Sequence, residues 1–192
     1  MHKYIFHIAL VYFCFNSWSQ SQEKNSTLPN IIFIMADDLG IRDLGSYGSD
    51  YYLTPNIDQL ACQGLKFTQA YTAGHVCSPT RASILTGKYP HRVRITDALP
   101  WDRLSDNPKL IPPEHLKELP SKLPTFVKSL RSAGYKTALF GKWHLGNEYN
   151  FYAKEGHKAY GFDEAFAVSG EEKKRDKGVD ELTERSLEFM EA

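Results

Sequence analysis

The sequence predicts an α/β fold, a mixed, mostly parallel sheet flanked by helices. Three observations predict it. Residues 30–36 (Asn-Ile-Ile-Phe-Ile-Met-Ala) form an apolar run without alternation, the pattern of a strand buried on both faces of a parallel sheet. Strand-like and helix-like segments then alternate along the chain, which is the signature of α/β layering. Finally, three of the four helix-like segments close on glycine, and two of them open on a small hydroxyl residue followed by proline.

The elements follow in order. Thr54-Pro55-Asn56 opens a helix whose Ile57, Leu60 and Ala61 share a face, and Gly64 stops it. Residues 65–71 read as a short strand. Ser78-Pro79 repeats the cap-plus-proline signal for a helix that Gly87 ends. A long connection rich in proline (Pro90, Pro100, Pro108, Pro112, Pro113, Pro120, Pro124) runs from Tyr89 to Pro124; connections of this length usually carry function. Leu123, Phe126, Val127 and Leu130 mark a helix closed by Gly134, which feeds a strand over 135–140. The charge run at 171–177 reads as a solvated loop. Val179, Leu182, Leu187 and Met190 are expected to form the apolar side of a final helix. No internal repeat is evident.

A chain of 192 residues suffices for one domain with a sizeable core. Its 23 Lys and Arg balance 23 Asp and Glu, so no overall field favours nucleic acid or an anionic membrane, and an anionic substrate has to be captured by local cations. Residues 1–19 read as a signal peptide: a short basic start, an apolar run from Tyr4 to Phe15, and Ser17-Trp18-Ser19 placing small residues before a cleavage at Gln20. The run is shorter than the ~20 residues a bilayer span needs, so no stable membrane anchor is expected and the protein reads as exported, periplasmic or secreted. Residues 20–29 are expected to be a mobile mature N-terminus. Removal of the signal leaves Cys62 and Cys77, for which one disulfide is the simplest expectation in an exported protein; Cys62, in an apolar helical pattern, also reads as a small buried hydrophobe.

Three constellations carry chemistry. Asp37-Asp38 directly follow the 30–36 strand, at the carboxyl end where open α/β sheets place ligands. Two adjacent carboxylates favour a cation, and hard oxygen donors select Ca²⁺ or Mg²⁺; a solvated turn would use the same pair. Cys77 sits just before a helix N-terminus, whose free amides favour a negative group, and Arg81 can aim its guanidinium at the same spot. Spacing alone leaves a reactive thiol or a disulfide half equally open. Lys142 and His144, two apart beyond the 135–140 strand, are expected on one side of the chain, suited to an oxyanion and a nucleophile's hydroxyl. A surface lysine and a structural histidine would look the same.

The run Cys77-Ser78-Pro79-Thr80-Arg81 to Thr86-Gly87 resembles the signature of formylglycine-dependent, arylsulfatase-like sulfatases, and Gly141-Lys142-Trp143-His144-Leu145-Gly146 is similar to their second signature in the expected order. The resemblance implies an alkaline-phosphatase-like fold, of which residues 30–192 are the N-terminal part. It implies that a formylglycine-generating maturation enzyme oxidises Cys77 and that the hydrated aldehyde attacks sulfur. It further implies that Asp37, Asp38 and modified Cys77 bind the metal, Arg81 stabilises the nucleophile, Lys142 contacts the sulfate and His144 hydrogen-bonds the hydrated aldehyde. A modified Cys77 has no thiol for Cys62. His91 is read as structural.

The implied activity is hydrolysis of a sulfate ester, on a sulfated sugar or an aryl sulfate. A phosphonate or phosphate monoester hydrolase of the same superfamily is the enzymatic alternative. The family's later metal ligands and leaving-group acid find no match after His144, so an inactive truncated fragment is the other. The connection from Tyr89 to Pro124 is expected to line the pocket mouth.

Overall fold

The computed structural model describes residues 28–99, 109–111, 113–168 and 178–192. The expected signal peptide, most of the mature N-terminus, positions 100–108 and 112 of the proline-rich connection and the charge run at 171–177 lie outside the described residues. The chain divides into two units, Met1–Ala36 and Asp37–Ala192.

In the first unit, residues 28–36 lie outside any regular element. The strand expected at 30–36 is not formed, and Ile31, Ile32, Phe33 and Ile34 are all more than half exposed. The correction has a physical reason: an apolar run supplies a strand's side chains, but a strand exists only through the ladder that neighbouring strands provide.

The second unit begins with two short 3₁₀ turns, Ile41–Asp43 and Gly45–Tyr47. Helix α1, Pro55–Gln63, starts where the Thr54-Pro55 signal places it. Thr54 makes no capping bond, however. Its hydroxyl accepts from Gly45 N at 2.9 Å and donates to the Asp58 carboxylate at 3.0 Å, fastening the Gly45–Tyr47 turn to the helix. Ile57, Leu60 and Cys62 are exposed, so Cys62 is not the buried hydrophobe expected of it, and neither it nor Cys77 is in a disulfide. Residues 65–71 also form no strand, and Leu65, Phe67 and Tyr71 are exposed.

Helix α2, Cys77–Thr86, is the best buried of the helices. Its cap is Val76, and Cys77 is its first residue, so Ser78 is not the cap the sequence suggests. Ser78 is fully buried, and burial commits its hydroxyl to partners elsewhere in the chain. The other end behaves as expected: Gly87 turns left-handed (φ 66°) and donates to Ser83 O at 2.8 Å. A one-turn helix, α3 (Pro90–Val93), follows inside the proline-rich connection. Part of the connection belongs to the core: Val93, Ile95, Leu99 and Leu119 are buried there.

Helix α4, Phe126–Ser132, is capped by Thr125, whose hydroxyl accepts from Lys128 N at 3.2 Å and donates to Tyr160 O at 2.9 Å. Strand β1, Ala138–Phe140, pairs in parallel with β2, Glu164–Phe166, in the register Ala138–Glu164, Leu139–Ala165, Phe140–Phe166. Between them lie helix α5, Glu148–Ala153, and a 3₁₀ turn, Gly156–Tyr160. Parallel pairing with an intervening helix is the α/β crossover that the sequence predicts.

The core is built on Trp143, which stacks on Phe151 with ring centroids 4.0 Å apart and meets Tyr160 and Phe162 at its other edges. Ala82 and Leu85 of α2, Val127 of α4 and Leu145 complete it. The last helix, α6 (Val179–Glu191), packs against β1. Its inward residues are Leu182, Ser186 and Phe189, with the Phe189 ring on Phe140 and the Arg185 guanidinium over Phe166 at 4.6 Å. Val179, Leu187 and Met190 are exposed, against expectation. Leu182 and Leu187 are five residues apart and cannot share a helix face, whereas 182, 186 and 189 can. Among the described residues no helix is long and apolar enough to cross a membrane.

Candidate active site

Helix α2 presents Cys77 at its first position, where backbone amides lack intrahelical acceptors and the helix dipole is positive. Arg81 stands one turn later on the same face. Asp37 and Asp38 approach from the start of the unit, and Lys142 from the segment just past β1. Donor atoms of Asp37, Asp38 and Cys77 lie within 4.8 Å of one another. Cys77 Sγ is 3.9 Å from Asp38 Oδ1.

Asp37 is the hub. Lys142 Nζ donates to its Oδ2 at 2.8 Å and Arg81 Nη2 to its Oδ1 at 3.1 Å. Lys142 Nζ also reaches Cys77 Sγ at 3.4 Å. Burial alone would raise the Asp37 pKa, but the Lys142 and Arg81 hydrogen bonds outweigh it and bring it down to about 2. Burial alone would lower Lys142, and its bonds to Asp37 and Cys77 instead raise it. Both groups therefore stay charged across the neutral range.

Lys142 and His144 do not lie on a strand. The strand ends at Phe140, although Gly141 N still donates to Phe166 O at 2.8 Å, and His144 adopts a left-handed backbone with φ 55°. Period-two alternation therefore does not govern this segment, and the side-by-side placement expected of the two residues has no basis in strand geometry. The structure brings Lys142 onto Asp37 and Cys77. It places His144 through its backbone, whose carbonyl accepts from the Ser78 hydroxyl at 2.7 Å, while its buried Nδ1 has no hydrogen-bond partner among the described residues. Burial first, then the Lys142 charge, lowers the His144 pKa, with the Leu99 backbone and Glu148 pulling the other way.

Two contacts were not legible as site features. Tyr152, on α5, donates its hydroxyl to Gly141 O, and burial holds its pKa above the ordinary tyrosine value. Arg81 Nη1 donates to Lys142 O at 2.6 Å, so the guanidinium ties the second signature to the first as well as holding Asp37. A tyrosine eight residues after His144 carries no sequence signal of such a role. His91 lies beside Tyr89, ring centroids 5.9 Å apart, and belongs to none of these contacts.

What this donor set can do is hold anions and a hard cation. Two carboxylates and the Cys77 side chain converge on one point, with two cations beside them and a helix N-terminus behind.

The sulfatase family model matches residues 29–187 of the chain. Among curated proteins, the chain is 38% identical over 167 residues to an N-acetylgalactosamine-6-O-sulfatase of Bacteroides thetaiotaomicron, covering 84% of this chain and 30% of that protein. It is 43% identical over 127 residues to human steryl-sulfatase, covering 66% of this chain and 21% of that protein. Among solved structures it is similar to BT4656 in complex with its substrate D-glucosamine-2-N,6-O-disulfate, with TM-score 0.62 and 29% identity over 85% of this chain and 31% of that one. It thus spans about a third or less of the length of these relatives, and its α/β arrangement is of their alkaline-phosphatase-like class. With both signatures inside the matched region, the chain belongs to the sulfatase family.

Proposed function

We propose that the protein is a sulfuric ester hydrolase that releases inorganic sulfate from an organic sulfate ester, a sulfated sugar in the first instance. The observation that carries this reading is the convergence of Asp37, Arg81 and Lys142 on the Cys77 end of α2 from segments up to 105 residues apart. The sugar preference draws on the two saccharide-directed relatives. Export through a signal at 1–19 and maturation of Cys77 by a formylglycine-generating enzyme are part of the proposal.

Cys77 Sγ stands where the oxygens of a hydrated aldehyde would sit, one of which is the nucleophile. The site fits a hard divalent cation on its donor chemistry: two carboxylates and the residue-77 side chain within ligand reach of one point. Bound there by Asp37, Asp38 and modified Cys77, Ca²⁺ or Mg²⁺ would neutralise the paired carboxylates and favour an anionic oxygen at residue 77. Lys142 holds a proton-rich ammonium beside that position and meets a sulfate oxygen without having to titrate. Arg81 keeps the Asp37 carboxylate oriented, and the amides at the start of α2 add positive potential. His144, neutral because its pKa is lowered, offers a ring nitrogen to a hydroxyl at residue 77.

The test is a pair of rates. The full chain is produced with a maturation enzyme, and its Cys77 peptide should be about 18 Da lighter than the thiol form. Sulfate and phosphate esters of one alcohol are then compared, with Cys77→Ala as control. Faster sulfate release that disappears in Cys77→Ala supports the reading. Faster phosphate release transfers it to the phosphonate and phosphate hydrolases, and a fully matured chain with neither activity transfers it to the inactive-fragment alternative.

A further inference from the structure

The segment from Gly141 to Leu145 has no strand to hold it, yet four of its carbonyls are occupied. Tyr152 donates to Gly141 O, Arg81 to Lys142 O at 2.6 Å, Ser78 to His144 O at 2.7 Å and the Leu119 amide to Leu145 O at 2.8 Å. Of these tethers, Ser78 differs in joining three parts of the chain. Its hydroxyl donates to His144 O, 66 residues away, and accepts from the Leu99 amide at 2.9 Å, 21 residues away. Ser78 itself has no solvent exposure, and Leu99 is 2% exposed.

We infer that Ser78 is a positioning residue: its hydroxyl sets the backbone of His144 relative to the N-terminus of α2 and locks Leu99 of the proline-rich connection to both. Only a side chain that donates and accepts at one atom can serve a carbonyl and an amide together, and among buried side chains of this size that means a hydroxyl. The carbonyl it holds belongs to a residue with φ 55°, a conformation that local sterics disfavour and that needs outside support. Because Ser78 adjoins Cys77, any slip in this bond changes the distance between the nucleophile's helix and the His144 ring. Ser83, one turn further along α2, provides the contrast: it is also buried, but its hydroxyl has no partner among the described residues.

The kinetic part of the test rests on the sulfatase reading; the exchange part does not. In the full chain, amide hydrogen exchange of Leu99 is measured for wild type, Ser78→Ala, Ser78→Thr and Ser83→Ala. Ser78→Ala should speed Leu99 exchange roughly tenfold, the loss of one buried hydrogen bond, while Ser78→Thr and Ser83→Ala leave it near wild type. With rates normalised to the formylglycine content at position 77, Ser78→Ala should lower kcat roughly 10- to 100-fold at unchanged KM, and Ser78→Thr should restore most of it. Accelerated exchange with wild-type kcat in Ser78→Ala would refute the positioning role. A Leu99 amide unprotected in the wild type refutes the tether itself, and this measurement stands even if Ser78→Ala does not fold. If the wild type hydrolyses no sulfate ester, the proposed activity fails for this chain and the exchange data alone decide the tether.

Discussion

Replacing Trp143 by alanine removes the indole from the middle of the aromatic cluster, and the structure sets the size of the effect. Trp143 is 2% exposed, stacks on Phe151 at 4.0 Å, and touches Tyr160 and Phe162 at 4.7 and 6.3 Å between centroids. Truncating a buried tryptophan to alanine costs about 3–5 kcal/mol through lost transfer energy and the cavity left behind. The stacked pair adds about 0.5–1.5 kcal/mol that area alone does not capture. Against a total stability of about 5–15 kcal/mol for a native domain, a loss near the top of the range would leave a substantial unfolded fraction. Trp143→Phe keeps a ring on Phe151 and should lose only about 1–2 kcal/mol. Urea unfolding of the full chain, followed by far-UV circular dichroism, measures both. A fall of less than ~1 kcal/mol for Trp143→Ala, with unchanged denaturant dependence, would show that the cluster is not the core described above. Because Trp143 lies between Lys142 and His144, the proposed activity, if present, should fall in whatever fraction remains folded.

Three further outcomes follow from the same geometry. Ca²⁺ or Mg²⁺ at about 100 times its dissociation constant should stabilise the chain by ~2.7 kcal/mol in thermal unfolding, and Asp37→Asn or Asp38→Asn should abolish the gain; stabilisation surviving both substitutions would remove these residues from the cation site. The ring of His144, which faces the charges of Lys142, Arg81 and Glu148, should titrate below 6.5 by NMR. The folded chain then binds fewer protons than the unfolded one, so this group's contribution to stability rises with pH from the folded midpoint up to about 6.5 and its penalty is complete below that midpoint; a midpoint above 6.5 reverses the sign. Thr125→Ala should cost about 0.5–2 kcal/mol by uncapping α4, with Thr125→Ser recovering most of it, and equal losses for the two variants would place the effect in packing of the methyl group instead.

Features decided within a turn of the chain were legible in advance. The start and end of α1, the end of α2 at the glycine at position 87 and the helix over 126–132 all follow from residue chemistry acting on its immediate neighbours. So did the residue types at the site, because few side chains other than Asp37, Lys142 and Arg81 could form that charged cluster. Features decided by distant partners were not legible. The runs at 30–36 and 65–71 have strand composition, but composition cannot provide a ladder. Ser78 has the chemistry of a cap, and burial turned its hydroxyl towards Leu99 and His144. In α6 the helix and the inward Leu182 were read correctly, but Val179, Leu187 and Met190 are exposed and Phe189 takes the inward face with Leu182.

The backbone adds a last step to this reasoning. Among the described residues, four that are not glycine have positive φ: Asp38, Arg94, His144 and Glu155. Two of the four belong to the candidate site. Such conformations cost roughly 1–3 kcal/mol each, with aspartate and histidine among the more tolerant residue types, and persist where surrounding contacts over-determine them. At His144 those contacts are visible in the hydroxyl on its carbonyl and the tethers on either side. At Asp38 one contact is Cys77 Sγ at 3.9 Å, a weak one for a carboxylate. A cation shared by Asp37, Asp38 and residue 77 would add a further constraint there. Under the proposed cation site, the left-handed turn that keeps Asp38 beside Cys77 would gain a partner for its carboxylate.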